Sequence, residues 1–181
     1  NSRKIQLDIF IQQMKLIFEG RTDYHIYVIE QESERDDTIP DNFRIKDTKI
    51  AKFNLGRIKN IGFHIASKDR KDSYCVLSDV DLLPGYKLID DYLKYPENPI
   101  HLGNLGTRYG SNDKNFLGGV ISINDEDFIK CNGYPNNFWG WGGEDNALLN
   151  RLNVNSIKID KADSPVIDLE DYMEPKEYVE K

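Results

Sequence analysis

The chain has 181 residues, 39% hydrophobic and 30% charged, the size and make-up of one soluble globular domain, here residues 1–181. Its 24 basic against 31 acidic side chains give a net charge of −7, which excludes a nucleic-acid surface because no basic stripe is present. No apolar run reaches the length of a membrane span, and two cysteines, Cys75 and Cys131, read as buried free thiols, which leans toward a reducing compartment.

In chain order, residues 5–18 space Ile5, Ile9, Leu16 and Phe10, Met14, Ile17 as an amphipathic helix stopped by Gly20. Residues 24–29, aromatic and β-branched, read as a strand. A nucleotide-binding α/β domain places a strand before its first helix, so that strand is expected before residue 1 or the order is altered. Residues 31–41 are an acidic solvated loop. Residues 54–65 form a second helix capped by Asn54, whose face of Leu55, Ile58, Ile61, Gly62 and Ile65 is expected on the sheet.

The apolar run Tyr74-Cys75-Val76-Leu77 reads as a buried strand. It leads into Ser78-Asp79-Val80-Asp81-Leu82-Leu83-Pro84. A short helix over 86–95, a strand over 99–102, a Gly/Asn-rich loop over 103–115 and a strand over 116–123 follow. In that last strand Gly118-Gly119 permits close approach of a ligand or of another backbone. Residues 124–131 are a short helix with an acidic first turn, and another helix runs from Glu144 or Asp145 to Leu152.

Two stretches carry chemistry. Asp79 and Asp81 stand at a strand end, where ligands of open α/β sheets collect, and hard oxygen donors at i and i+2 suit a divalent cation that keeps positions open for phosphate oxygens. The bland alternative is a solvated turn closed by Pro84. Asn136-Asn137-Phe138-Trp139-Gly140-Trp141-Gly142-Gly143-Glu144-Asp145 holds both tryptophans of the chain among three glycines, followed by two carboxylates. It reads as a mobile flap carrying a flat apolar side chain; a tight turn with two core aromatics explains the glycines less well. In the first turn of a helix Glu144 and Asp145 would also interact favourably with its dipole.

These blocks, with Phe116-Leu117-Gly118-Gly119-Val120, Asn132-Gly133-Tyr134-Pro135 and Asn150-Arg151-Leu152, resemble the β-1,4-galactosyltransferase family (glycosyltransferase family 7, GT-A fold) in order and near-identical spacing. Phe53-Asn54 and Asn60-Ile61-Gly62-Phe63 resemble its upstream block, so the likeness covers 53–152, in a divergent and short member. The resemblance implies an α/β GT-A-type nucleotide-sugar-binding domain, a mixed twisted sheet flanked by helices. It implies a hexosyltransferase that moves galactose, glucose or N-acetylgalactosamine, with inversion, from a UDP-sugar to a hydroxyl of a glycan or glycoprotein acceptor, using Mn2+ or Mg2+.

By the same resemblance Asp81 is the metal ligand and Asp79 contacts ribose or sugar. Asp145 is the proton acceptor, Glu144 orients hydroxyls, and Trp141 covers the donor. Phe53, Asn54, Gly119, Phe116 and Arg3 line the donor site, Arg3 as the remnant of an arginine-containing turn and Phe116 at a position that helps choose the sugar. The chain departs from the family at Leu55, where an arginine is expected, at Asn146, and in lacking a histidine metal ligand beyond Asn150-Arg151-Leu152. His25, His64 and His101 lie elsewhere, and Asp168, Glu170, Asp171 and Glu174 offer carboxylates instead. These departures support a rival of another class, a catalytically silent carbohydrate-binding or assembly module with the same fold.

Overall fold

The computed structural model describes residues 3–32, 40–46, 48, 50–68, 73–107 and 116–172. Its elements are α1 (Lys4–Phe18), α2 (Leu55–Ala66), β1 (Tyr74–Ser78), β2 (Leu82–Pro84), α3 (Ile89–Leu93), β3 (Ile100–His101), β4 (Val120–Asn124), α4 (Asp125–Lys130), α5 (Glu144–Val154), β5 (Asp160–Lys161) and β6 (Val166–Asp168). The main sheet has the order β1-β4-β3-β5, antiparallel except for the parallel β3–β5 pair, and β2 pairs with β6 in a separate antiparallel ribbon. The sheet is therefore mixed, and helices flank it.

The alternation along β1 explains the layering. Cys75 and Leu77 point into one core with Phe63 and Ala66 of α2, Phe128 of α4, and Leu148 and Leu152 of α5. Val76, between them, packs against a second core built from Met14, Ile17 and Phe18 of α1, Tyr92 of α3, and Leu82, Leu83 and Val166 of the ribbon. Successive side chains of a strand point to opposite faces, so one strand feeds both layers. β4, buried along all five residues, lies between β1 and β3. Both cysteines are buried.

Several expectations need correction. In α1 the stripe of Phe10, Met14 and Ile17 faces the core, whereas Ile5, Ile9 and Leu16 are exposed. In α2 the buried stripe is Gly56, Lys59, Phe63 and Ala66; of the expected face, Leu55, Ile58 and Gly62 are half-buried along a cavity and Ile61 and Ile65 are exposed. Residues 24–29, expected as a strand, pack Tyr24 and Ile26 on the core with Tyr27 and Val28 facing out, but they pair in no strand among the described residues. The strand expected from 116 begins only at Val120, because Gly119 takes φ +82 and breaks the extended run. Pro84 closes no turn; it is the last residue of β2, opposite Val166. Residues 33–39, 108–115 and Glu174 lie outside the described residues, and with them most of the two expected loops.

Candidate active site

β1 ends at Ser78, and the chain turns at once: the Asp79 N–H donates to the Gly119 carbonyl at 2.9 Å, and the Leu82 N–H to the Asp79 carbonyl at 3.3 Å. This turn sets Asp79 and Asp81 at the strand end. Asp81 is 3% exposed; its carbonyl accepts from the Leu169 N–H at 2.8 Å, and its carboxylate is ion-paired with the Arg3 guanidinium at the start of α1. The same Arg3 Nη1 lies 3.5 Å from Glu170 Oε1, which also accepts from Gln6 Nε2 at 3.2 Å. Carboxylates from the middle and the end of the described chain thus converge on one cationic group at its start.

Beside this lies the Gly118-Gly119 turn. His101 Nε2 donates to the Gly118 carbonyl at 2.9 Å, its ring stacks edge-on against Phe116 at 5.7 Å, and its Nδ1 has no partner among the described residues, which fixes the neutral Nε2–H tautomer. Burial lowers the imidazole pKa to about 4; the Gly118 carbonyl opposes this, while Lys161 and Lys59 add to it. A Cβ at Gly118 would lie 2.4 Å from Asp145 Oδ2 and 2.5 Å from the Phe116 ring. Only glycine lets the turn and the Asp145 carboxylate meet.

Asp145 and Glu144 open α5. Ahead of them Gly143 stands at the N-cap with φ +94, and a Cβ there would meet Phe138 at 2.5 Å. The loop is tied down on its other side: the Gly140 N–H donates to the Phe53 carbonyl at 2.7 Å, and Trp139 packs on Phe43 with centroids 5.6 Å apart. Trp141 projects outward, 87% exposed. Glu144 is buried, and its Oε2 has no hydrogen-bond partner among the described residues; the same holds for Asp145 Oδ1 and the Tyr134 hydroxyl. Burial raises the Asp145 pKa to about 6; Lys59 pulls it down, and Asp79 and Glu144 push it up. A carboxylate so poised takes up and releases a proton near neutrality.

Arg3, Phe53, Asp79, Asp81, Phe116, Gly119, Trp141, Glu144 and Asp145 all line one cavity of about 1220 Å³, which extends between β1 and residues 22–29. Asn54 does not line it. Buried at 1% exposure, it caps α2 through the Arg57 N–H at 2.9 Å and donates to the Asn136 carbonyl at 2.9 Å, holding the base of the tryptophan loop. Two residues emerge that the sequence did not mark. Lys59 is buried in α2 with its Nζ 3.1 Å from Asp79 Oδ1, and His101 braces the glycine turn; His25 and His64 are exposed.

For a divalent cation, Asp81 and Glu170 offer hard oxygen donors already gathered around a positive charge, which fits a cation that draws further ligands from phosphate. Among the described residues no group of three or more His, Cys, Asp or Glu is assembled for a metal.

A mixed sheet with helices on both faces, acidic strand ends and a glycine-rich loop over one cleft defines a GT-A-type nucleotide-sugar-binding domain. The chain superposes with a TM-score of 0.72, at 27% identity, on the catalytic domain of Drosophila β1,4-galactosyltransferase 7 in complex with xylobiose, over 94% of this chain and 65% of that one. A mutant of that enzyme in complex with manganese, UDP-Gal and xylobiose matches at 0.70 and 25% identity, with the same coverage. Residues 99–177 match the family model described as the N-terminal domain of galactosyltransferase. The chain is 34% identical to β-1,4-galactosyltransferase 1 of Homo sapiens over 148 residues, 80% of this chain and 32% of that protein. It is 33% identical to β-1,4-galactosyltransferase 4 of Mus musculus over 156 residues, 84% and 38%. The chain belongs to the β-1,4-galactosyltransferase family. It spans about a third of the length of these curated relatives.

Proposed function

We propose that this chain carries the donor site and the proton acceptor of an inverting, metal-dependent transferase that moves a hexose from a UDP-sugar to an acceptor hydroxyl on a glycan or glycoprotein. The observation that carries the reading is the convergence of Asp79, Asp81, Glu144 and Asp145, from two distant stretches, on one cavity that Trp141 also lines. The complex of a structurally similar enzyme with manganese and UDP-Gal supports the choice of cation and donor class.

Asp81 and Glu170 would hold the cation, with Arg3 moving aside to the diphosphate. The bound ion supplies the charge that stabilises the leaving UDP. Asp79 binds a ribose or sugar hydroxyl, and Glu144, whose Oε2 has no partner among the described residues, accepts from another. The acceptor oxygen attacks the anomeric carbon as Asp145 takes its proton; the bond to UDP breaks, UDP leaves with the electron pair, and the configuration inverts. Trp141, on its glycine-flanked loop, closes over the donor and keeps water from competing.

The pairing of Asp81 with Arg3 favours a second reading, a silent carbohydrate-binding or assembly module in which an internal cation has replaced the metal. Calorimetric titration of a panel of UDP-sugars, with manganese and with chelator, alongside UDP release, separates the two. Metal-dependent binding of one sugar nucleotide with UDP release abolished in Asp145→Asn supports the transferase. Absence of binding with any divalent cation supports the module.

A further inference from the structure

The floor of the site contains a charge that helix packing does not require. Lys59 is 7% exposed, and its companions on the buried stripe of α2, Gly56, Phe63 and Ala66, are apolar; an aliphatic side chain would fill the same space. Burying an ammonium is costly unless it is paired. The pairing here is with the site itself: Nζ lies 3.1 Å from Asp79 Oδ1 and 5.4 Å from the centroid of the Tyr134 ring.

We propose that Lys59 is a positioning residue for the transfer, the fixed counter-charge that holds the Asp79 carboxylate and balances the pair formed by Asp79 and Asp145. The proposal rests on the transferase reading above. Around Asp145, burial, Asp79 at the end of β1 and Glu144 on its own helix all favour the protonated form, and Lys59 from α2 is the group that opposes them. Tyr134, from the loop before α5, presents a buried hydroxyl that stays protonated. Burial lowers the affinity of Lys59 for its proton, but the Asp79 carboxylate foremost, with Asp145, more than restores it, so the ammonium stays charged through neutral pH. Lys59 therefore supplies a constant charge that lets the proton acceptor stay a carboxylate inside a closed pocket.

The test compares Lys59→Met, Lys59→Gln and Lys59→Arg in the full chain. Carboxyl-carbon NMR of labelled aspartate follows Asp145 in the free protein, assigned with Asp145→Asn. In the neutral variants its midpoint should rise by about one unit, and in Lys59→Arg it should stay near the wild-type value. The acid limb of kcat/KM should move up by the same amount in the neutral variants, with activity recovering toward wild type at high pH. A uniform loss at all pH values, or titrations that superimpose with wild type, overturns the proposal. So does failure of both neutral variants to fold while Lys59→Arg folds, since the charge would then serve the fold alone. If wild type releases UDP from no sugar nucleotide, the transferase reading fails by itself, and the NMR comparison still decides whether Lys59 balances Asp145.

Discussion

Asp145 and His101 sit on either side of Gly118 and carry proton equilibria of opposite sign. The Asp145 carboxyl has its pKa raised from 3.8 to about 6 in the folded chain, so the folded state favours its protonated form. Its contribution to stability is fully present below about pH 4 and is lost as pH rises through 6, a swing of about 3 kcal/mol at most. His101 is lowered from 6.5 to about 4, so its contribution is present above 6.5 and is lost as pH falls toward 4, again by about 3 kcal/mol. Between pH 6.5 and 4 the two nearly cancel in wild type, and single substitutions should separate them. Asp145→Asn removes the cost of a buried carboxylate, so it should be more stable than wild type at pH 7 but lose that advantage steadily toward pH 4. His101→Gln, which keeps a donor for the Gly118 carbonyl, should instead gain stability relative to wild type as pH falls. Urea unfolding at four or five pH values reads both, and parallel profiles for all three proteins would contradict the assignments. On the proposal that Asp145 is the proton acceptor, activity should rise with pH through about 6 as its carboxyl ionises.

The loop between Pro135 and α5 couples a rigid base to a projecting tip. Asn60 clamps Tyr134 through both backbone groups, accepting from its N–H at 2.9 Å and donating to its carbonyl at 2.8 Å, and Asn54 holds Asn136. Trp141, at the tip, buries little, so Trp141→Ala should change unfolding free energy by no more than about 0.5 kcal/mol while weakening UDP-sugar binding severalfold by calorimetry. Equal affinity in the two proteins would remove Trp141 from the donor site. Gly143→Ala acts at the other end: it combines φ +94 with contact on Phe138, so it should destabilise by about 1–3 kcal/mol and disturb Glu144 and Asp145 together. The acidic strand end was legible only together with this loop, through the resemblance of both to the blocks of one family in order and spacing; Asp79 and Asp81 alone fit a solvated turn as well. Lys59 was not legible. The isoleucines of 54–65 mark an apolar stripe one step around the helix from the buried one, and only tertiary packing decides which stripe turns inward. Residues 24–29 carry the aromatic and β-branched composition of a strand, but pairing depends on a neighbour that local composition cannot supply. His101 showed in sequence only that it lies away from the expected metal position, and its buried place is what lets it brace the glycine turn.

At the scale of the molecule, α1 and the turn after β6 meet around Asp81. Arg3 and Gln6 come from the first turn of α1, and Glu170 from the 3₁₀ turn Leu169–Asp171. A hard cation bound by Asp81 and Glu170 must take the place of the Arg3 guanidinium, so cation binding is linked to release of that contact, and its apparent affinity is reduced accordingly. Arg3→Gln should therefore bind manganese more tightly than wild type, by roughly tenfold given one opposing charge at contact distance. Glu170→Gln should bind it more weakly. If Arg3 turns to the diphosphate once displaced, Arg3→Gln should also bind the UDP-sugar less well even as its manganese affinity rises, a crossing of two affinities that general destabilisation would not produce. Calorimetric titration of each variant, first with manganese alone and then with the UDP-sugar in saturating manganese, measures both. Weaker manganese binding in Arg3→Gln would mean that the guanidinium supports the cation site instead of competing for it, and that the ion lies away from the two carboxylates Arg3 now joins.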